Sequence, residues 1–518
     1  MSRGLKTMKS RTRGITAAFA AIAATALVAG CSAGGSAPGG GGGASATLTL
    51  GTNGEITSWD PGQAHVGHQL QPYQVAYDTL ILREPDGSYS PMLAEEWSYN
   101  EDLTELTLEL RDDVTFSDGA AFDGEAVKAN LENLRDSNGR QSGQVAAMES
   151  VEVVDADTVT VVLAQPDPAF EFYLSQAAGL MGSPASLGTD AMISTPVGTG
   201  PYVMDTAQTV SGSQLVFTAR EGYWNPDLQQ FDSIVLKPFD ELTARLNAAL
   251  SGQIDAGLID APSVEQATGA GLTLIEDYRV DWSGLLLMDR DGVIVPELAD
   301  VRVRQALNHA IDRDTVLESI ARGYGEVTNQ VFGPDSGAYV DELDERYPFD
   351  PERARELLAE AGYADGFELP VTAIPGFESA MAVLTQQFED IGVQVRPISA
   401  PSATMLQELA DRQHATLIWN LFQGEPWVAI NQMISTDALY NPFDSTSEEL
   451  QTMIEAVRTG GDDSAELAQQ VNDYVTENAW FVPFYRADQL YVYDAEKISV
   501  EPQVQQAVPS IYNYSPVE

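Results

Sequence analysis

The sequence predicts an α/β fold built around more than one core, and three observations carry that prediction. From about Trp282 to Phe481, strand-like runs alternate with well-capped helices, the pattern of an α/β sheet with some parallel pairing. The chain has 518 residues, 44% hydrophobic and 8% aromatic, an ordinary globular composition at a length that exceeds one core. It holds a single cysteine, so no intramolecular disulfide can staple the fold, and stability must come from core size.

The elements follow in chain order. Arg3, Lys6, Lys9, Arg11 and Arg13 precede an apolar run from Ile15 to Val28, with small residues before Cys31. A basic stretch, a short apolar stretch and a small-residue cut form a secretory leader, expected at 1–30. The run is too short for a membrane span, which needs about 20 residues. Val28-Ala29-Gly30-Cys31 resembles the bacterial lipobox, with Val28 as a tolerated variant of the usual leucine. That resemblance implies a diacylglyceryl anchor on Cys31; the bland alternative is an ordinary buried thiol. Ser32 to Ser45 is entirely Gly, Ser, Ala and Pro and reads as a flexible tether at 31–45.

Beyond the tether, Thr47-Leu48-Thr49-Leu50 opens a strand-like run. Leu103 to Phe116 and Val151 to Leu163 alternate apolar and polar residues and read as half-buried strands, with a helix from Gly124 to Leu134 between them. Strands follow at Leu215 to Thr218 and Ser233 to Lys237, then a helix from Glu241 to Leu250 that ends at Gly252. Val301, Ala306, Ala310 and Ile311 share one helical face, and Asp312 caps a second helix closed at Gly323. Asp350-Pro351 starts another helix, the aspartate as cap and the proline in the first turn, with Gly362 as its stop. Glu368 to Thr372 and Val393 to Pro397 are strands with a helix between.

The net charge is −50. An acidic body of that size repels phosphates, which argues against nucleic acid as a partner. Glu448, Glu449, Asp462 and Asp463 fall in segments that read as solubilising surface.

Several segments stand together in one order. They are Ser58-Trp59-Asp60-Pro61, Tyr77-Asp78-Thr79-Leu80, Pro91-Met92-Leu93-Ala94-Glu95-Glu96-Trp97, and Leu110-Arg111-Asp112-Asp113-Val114-Thr115-Phe116-Ser117-Asp118-Gly119. Pro196-Val197-Gly198-Thr199-Gly200-Pro201-Tyr202, Tyr223-Trp224, Val301 to Asn308 and Ala310-Ile311-Asp312-Arg313 follow. This series resembles solute-binding protein family 5, the large extracytoplasmic receptors of peptide, nickel and opine-type ABC importers, and covers most of the chain from Ala46 onward. Most of these residues read as structural: Gly119, Gly198 and Gly200 as turn glycines, Asp118-Gly119 as a hairpin turn, Tyr77, Trp97 and Tyr202 as core aromatics.

The resemblance implies a two-lobed periplasmic-binding-protein-like fold of type II, in its large cluster with an extra subdomain in the first lobe. On this chain lobe I would take 46–280, with the inserted subdomain at about 81–195. Lobe II would take 281–482, and 483–518 would return to lobe I. The crossovers would fall near Leu285-Leu286-Leu287-Met288 and Val482-Pro483-Phe484. Such a cleft works by population shift, because a solute touches both lobes only when they are closed.

In peptide-binding relatives a tryptophan of the second lobe precedes by three residues an aspartate that pairs with the peptide ammonium. Trp419 matches the tryptophan, but Phe422 stands at the aspartate position. A phenylalanine offers an ammonium only a cation–π contact, and Glu425 would substitute only with a loop shift. The expected ligand-binding residues are Trp419, Asn420, Phe422, Gln423, Trp427, Asn53 and Trp59. His65 and His68 share a spacing that suits a metal, but two ligands do not complete a site, so neither metal nor cofactor is expected.

The expected function is a non-catalytic, lipid-anchored, monomeric receptor at the outer face of the cytoplasmic membrane. It would deliver a peptide or related small organic solute to an ABC permease and ATPase. The alternatives are an exported hydrolase and a sensory lipoprotein. The hydrolase lacks a G-x-S-x-G elbow, an H-E-x-x-H zinc helix and a phosphate-binding G-x-x-x-x-G-K, although an Asp/Glu pair remains open by composition.

Overall fold

A computed structural model describes residues 46–517; Cys31, with the expected leader and tether, lies outside the described residues. Two central sheets organise the described chain. The first has seven strands in the order Thr273–Leu274, Tyr491–Tyr493, Ala256–Leu258, Thr47–Asn53, Ser233–Phe239, Leu215–Ala219, Tyr202–Met204. Thr47–Asn53 runs parallel to both Ser233–Phe239 and Ala256–Leu258, and its alternation buries Leu48 and Leu50.

The second sheet has six strands in the order Gly325–Val327, Phe481–Asp488, Arg279–Leu287, Thr416–Phe422, Phe367–Ala373, Val393–Ser399. The expected parallel pairing is present: Phe367–Ala373 and Val393–Ser399 lie parallel, joined through the helix Glu378–Glu389. Asp312 and Asp350 cap their helices as read, accepting from the backbone N–H of Thr315 at 3.1 Å and of Arg353 at 2.9 Å. The Arg313–Ala321 helix, however, ends on Arg322 in the left-handed region, one residue ahead of Gly323.

A separate antiparallel sheet, ordered Ala94–Tyr99, Glu105–Leu110, Thr158–Leu163, Met148–Val153, carries the helix Gly124–Asp136. The single strand expected from Val151 to Leu163 is a hairpin. Asp155 turns the chain by accepting the Asp157 N–H, and Val154 N–H donates to the Thr158 carbonyl. The apolar interior of this sheet is continuous with one face of the second central sheet, where Trp282, Leu286, Leu417 and Leu421 belong to the same core.

The structure moves the crossovers. Gly284, Leu285 and Leu286 pair with Pro483, Val482 and Phe481 in the middle of the second sheet. The chain passes between sheets at 275–278, after the Thr273–Leu274 strand, and at 489–490, before Tyr491–Tyr493. The apolar runs mark strands buried on both faces, and the crossings lie a few residues outside them.

Two glycine readings also separate. Gly119 has a φ of +86° in the turn that pairs Thr115 with Ala121. Gly198 and Gly200 are not in the left-handed region. They are small because a Cβ at either would come within 2.3 Å of the Ala76 backbone.

Candidate functional site

The second central sheet, the segment that follows the Thr47–Asn53 strand, the antiparallel subdomain and the C-terminal return meet at a cavity of about 630 Å³. One wall comes from the ends of the adjacent strands Arg279–Leu287 and Thr416–Phe422, which bring Val280, Asp281, Trp419, Asn420, Leu421 and Phe422 to the lining. Opposite segments contribute His65 to His68, Arg140 to Gln144, Phe172 to Gln176 and Gln505 to Ala507. A cavity of this volume suits a small organic molecule.

Aromatic packing fixes the shape of the wall. Trp419 stacks on Phe377 with ring centroids 6.0 Å apart and lies 6.5 Å from Tyr440. Phe422 packs against Phe172 of the subdomain at 6.1 Å, and the Arg83 guanidinium sits 5.1 Å over the other ring of that pair. Arg83 is held by the Val504 carbonyl at 2.7 Å and by Gln505 Oε1 at 2.6 Å, and Gln505 donates to the Asp335 carbonyl. Phe422 therefore serves as a packing contact between the second sheet and the subdomain as well as a cavity wall.

The sequence-selected residues divide. Trp419, Asn420 and Phe422 line the cavity. Trp59 does not: it is 1% exposed in the core of the first sheet, edge-on to Tyr73 and Phe217. Trp427, 4% exposed on the helix Pro426–Met433, belongs to the same core as Trp282, and its ring is absent from the lining. Gln423, also 4% exposed, packs under Gly333 and not into the cavity. Asn53 closes the Thr47–Asn53 strand, half-buried and away from the lining. These four depart from expectation for a common reason. Their neighbours in space come from distant segments that sequence spacing does not reveal.

Glu425 does not replace the missing aspartate. Its carboxylate accepts the Val428 N–H at 2.7 Å and caps the Pro426–Met433 helix. Burial, with Asp167 nearby adding to it, pushes its pKa up to about 7. His65 and His68 both reach the lining, yet His65 Nδ1 meets the Val66 carbonyl and His68 Nε2 meets Gln489 Oε1. Burial lowers the His68 pKa. No group of three or more candidate metal ligands occurs among the described residues.

Among the lining residues that escaped the sequence reading, one carries a negative charge. Asp281 is the register partner of Phe422 across the antiparallel pair Arg279–Leu287 and Thr416–Phe422, so the two side chains share a face. Burial pushes its pKa up to about 6, and no hydrogen-bond donor or cation of the described residues meets its carboxylate. The only available signal was the polar Asp281 between Val280 and Trp282, in a strand otherwise dominated by apolar residues.

Two central α/β sheets with an added antiparallel subdomain, and a ligand-sized cavity lined by the second sheet, the subdomain and the C-terminal return, fit a two-lobed solute-binding protein. The comparisons agree. Residues 88–441 match the family model described as bacterial extracellular solute-binding proteins, family 5 middle. The glutathione-binding protein GsiB of Salmonella paratyphi A is 32% identical over 360 residues, covering 67% of this chain and 68% of GsiB.

Among solved structures, NikA from Brucella suis in complex with Fe(III)-EDTA superimposes with a TM-score of 0.79 at 22% identity, over 91% of this chain and 100% of NikA. DppA from Helicobacter pylori in complex with the peptide STSA gives a TM-score of 0.75 at 19% identity, over 91% and 98%. The chain belongs to family 5 of the bacterial extracellular solute-binding proteins. It is a substrate-binding protein of the ABC-importer type, acting outside the cytoplasm.

Proposed function

We propose that this chain captures a peptide or related small organic solute in the cavity beneath Trp419 and hands it, chemically unaltered, to an ABC permease and its ATPase. The observation that carries this reading is the cavity itself. Its lining draws on the second sheet, the subdomain and the C-terminal return at once, so a bound solute bridges segments that would part on opening. Ligand binding then favours the closed arrangement, which a permease can distinguish from the open one. The glutathione named for GsiB and the tetrapeptide named for DppA support a peptide-like solute.

The same proposal places the protein as a monomer at the outer membrane face, tethered through a lipid on Cys31. Cys31→Ser should release it to the soluble fraction and abolish labelling with a fatty-acid probe; a variant that stays with the membrane removes the anchor from the account.

Native mass spectrometry of freshly purified protein tests the capture step. A non-covalently retained solute, released with its original mass and lost from Trp419→Ala, is the expected result. A solute that emerges cleaved would make the protein an enzyme, contrary to this reading.

A further inference from the structure

The cavity lining carries two side chains of full and opposite charge, Asp281 on the second-sheet wall and Arg140 on the subdomain side. Neither forms an ion pair with another described residue. Other arginines near the sheets are engaged: Arg279, two residues from Asp281, is paired with Asp277 and Asp488, and Arg486 is paired with Asp344. Arg83 is spent on Val504 and Gln505. Among the described residues, then, the protein has cations close to this wall and directs none of them to Asp281.

A half-buried carboxylate given no partner among the described residues destabilises the free protein. The contrast with neighbouring acids is sharp. Asp289, buried two residues beyond the end of the same strand, receives three backbone N–H groups from Val293, Ile294 and Val295, each at 2.7 Å. Asp281 receives none from the described residues and stands in the lining of a 630 Å³ space beside Trp419 and Phe422. Gln432 and Gln506, also in the lining, each keep one side-chain amide atom without a protein partner. The polar capacity of this cavity is thus left open on several sides.

We infer that Asp281 is the cation receptor of the cleft, taking the ammonium of a solute whose apolar body lies along Trp419 and Phe422. This rests on the reading that the cavity is the solute site and narrows it to a class: free-amine organic solutes. A cation beside Asp281 would regain the hydrogen bonds that the carboxylate lacks, and Phe422 beside it would shield the pair from water. The single opposing charge of Arg140 makes the lining close to neutral, which suits a molecule with one ammonium and one anionic or accepting end better than a polycation. The negative charge comes from the strand next to the one where the sequence pattern placed it, across one rung of the ladder.

The test is a binding comparison on the full mature protein by native mass spectrometry and calorimetry. The probes are free-amine tripeptides and glutathione, their N-acetylated twins, and neutral oligosaccharides. The expected result is that free-amine probes bind at least thirty-fold tighter than their twins, and that Asp281→Asn erases the difference. Thermal unfolding at pH 8 should show the ligand-free Asp281→Asn protein melting no lower than the native one, which separates lost recognition from lost folding.

Equal binding of the acetylated twins, a preference that survives Asp281→Asn, or retention of oligosaccharides alone would overturn the role of Asp281 while leaving the receptor reading intact. If no probe binds and no solute is carried through purification, the receptor reading falls, and the Asp281 assignment with it.

Discussion

Asp78 and Asp281 are carboxylates that the protein treats in opposite ways, one fully buried and one half-buried at a cavity. Asp78, 0% exposed beside the first sheet, receives the Tyr223 hydroxyl at 2.8 Å, the Trp224 indole N–H at 2.9 Å and the Tyr512 hydroxyl at 3.1 Å. Burial still raises its pKa, but three donors work against that shift. Its surroundings are equally complete: the Tyr77 hydroxyl donates to the Trp59 carbonyl, and Trp59 is wedged between Tyr73 and Phe217. Among the described residues Asp281 has no donor. A satisfied buried charge ties distant segments into one lobe; an unsatisfied one at a cavity keeps binding capacity in reserve. The difference separates a residue that builds the fold from one that awaits a solute.

Substitutions can sharpen this comparison or break it. Trp59→Ala, in the satisfied region, should cost about 3–5 kcal/mol in urea unfolding while leaving solute affinity unchanged. A loss of affinity with unchanged stability would return Trp59 to the cleft. Asp78→Asn sets an amide against three donors and should destabilise by about 2–3 kcal/mol.

The same Asp-to-Asn change at 281 should have the reverse sign on the ligand-free protein, a gain on the order of 1 kcal/mol at pH 8 after allowance for partial solvent access. It should also cost a free-amine solute about thirty-fold in affinity, or roughly 2 kcal/mol. Destabilisation by both asparagines would erase the distinction between the two sites. Trp419→Ala should weaken binding by about ten-fold, the loss of one aromatic wall.

The smallest effect is in pH. Because burial holds Asp281 near 6, above its unfolded value of about 3.9, the folded protein binds the extra proton between those limits. Stability of the ligand-free protein therefore declines from this group as pH rises from about 4 through 6. Affinity for a cationic solute runs the other way. It should be full at pH 7–8 and fall as pH drops below about 6, with Asp281→Asn flat over the same range. Calorimetry across pH 5 to 8 reads both curves.

Much of this molecule is legible along the chain because the relevant signals are local. Asp312 and Asp350 announce their helices through a side-chain oxygen and the N–H three residues on. Asp118-Gly119 announces its turn through a positive φ. Trp419 is assigned to the cleft by the resemblance of its segment to peptide-binding relatives, and it lines the cavity.

What failed was everything settled between distant segments. Trp59 reads as a cleft residue until Tyr73 and Phe217 close over it. Leu285 to Leu287 read as a hinge because an apolar run does not say which sheet it belongs to, and its partners Phe481 to Pro483 lie far along the chain. Asp281 became visible only when the register of its strand against Thr416–Phe422 set it beside Phe422. The resemblance to peptide-binding relatives implies that a charge is missing at Phe422; only the ladder shows one standing next to it.

The most direct measurement is a crystal structure of the full mature protein with a free-amine peptide bound. The account predicts an intact peptide inside the cavity, its ammonium within about 3 Å of the Asp281 carboxylate and its body against Trp419. A peptide seated elsewhere, or one whose ammonium lies against any other group while Asp281 stays bare, would contradict it.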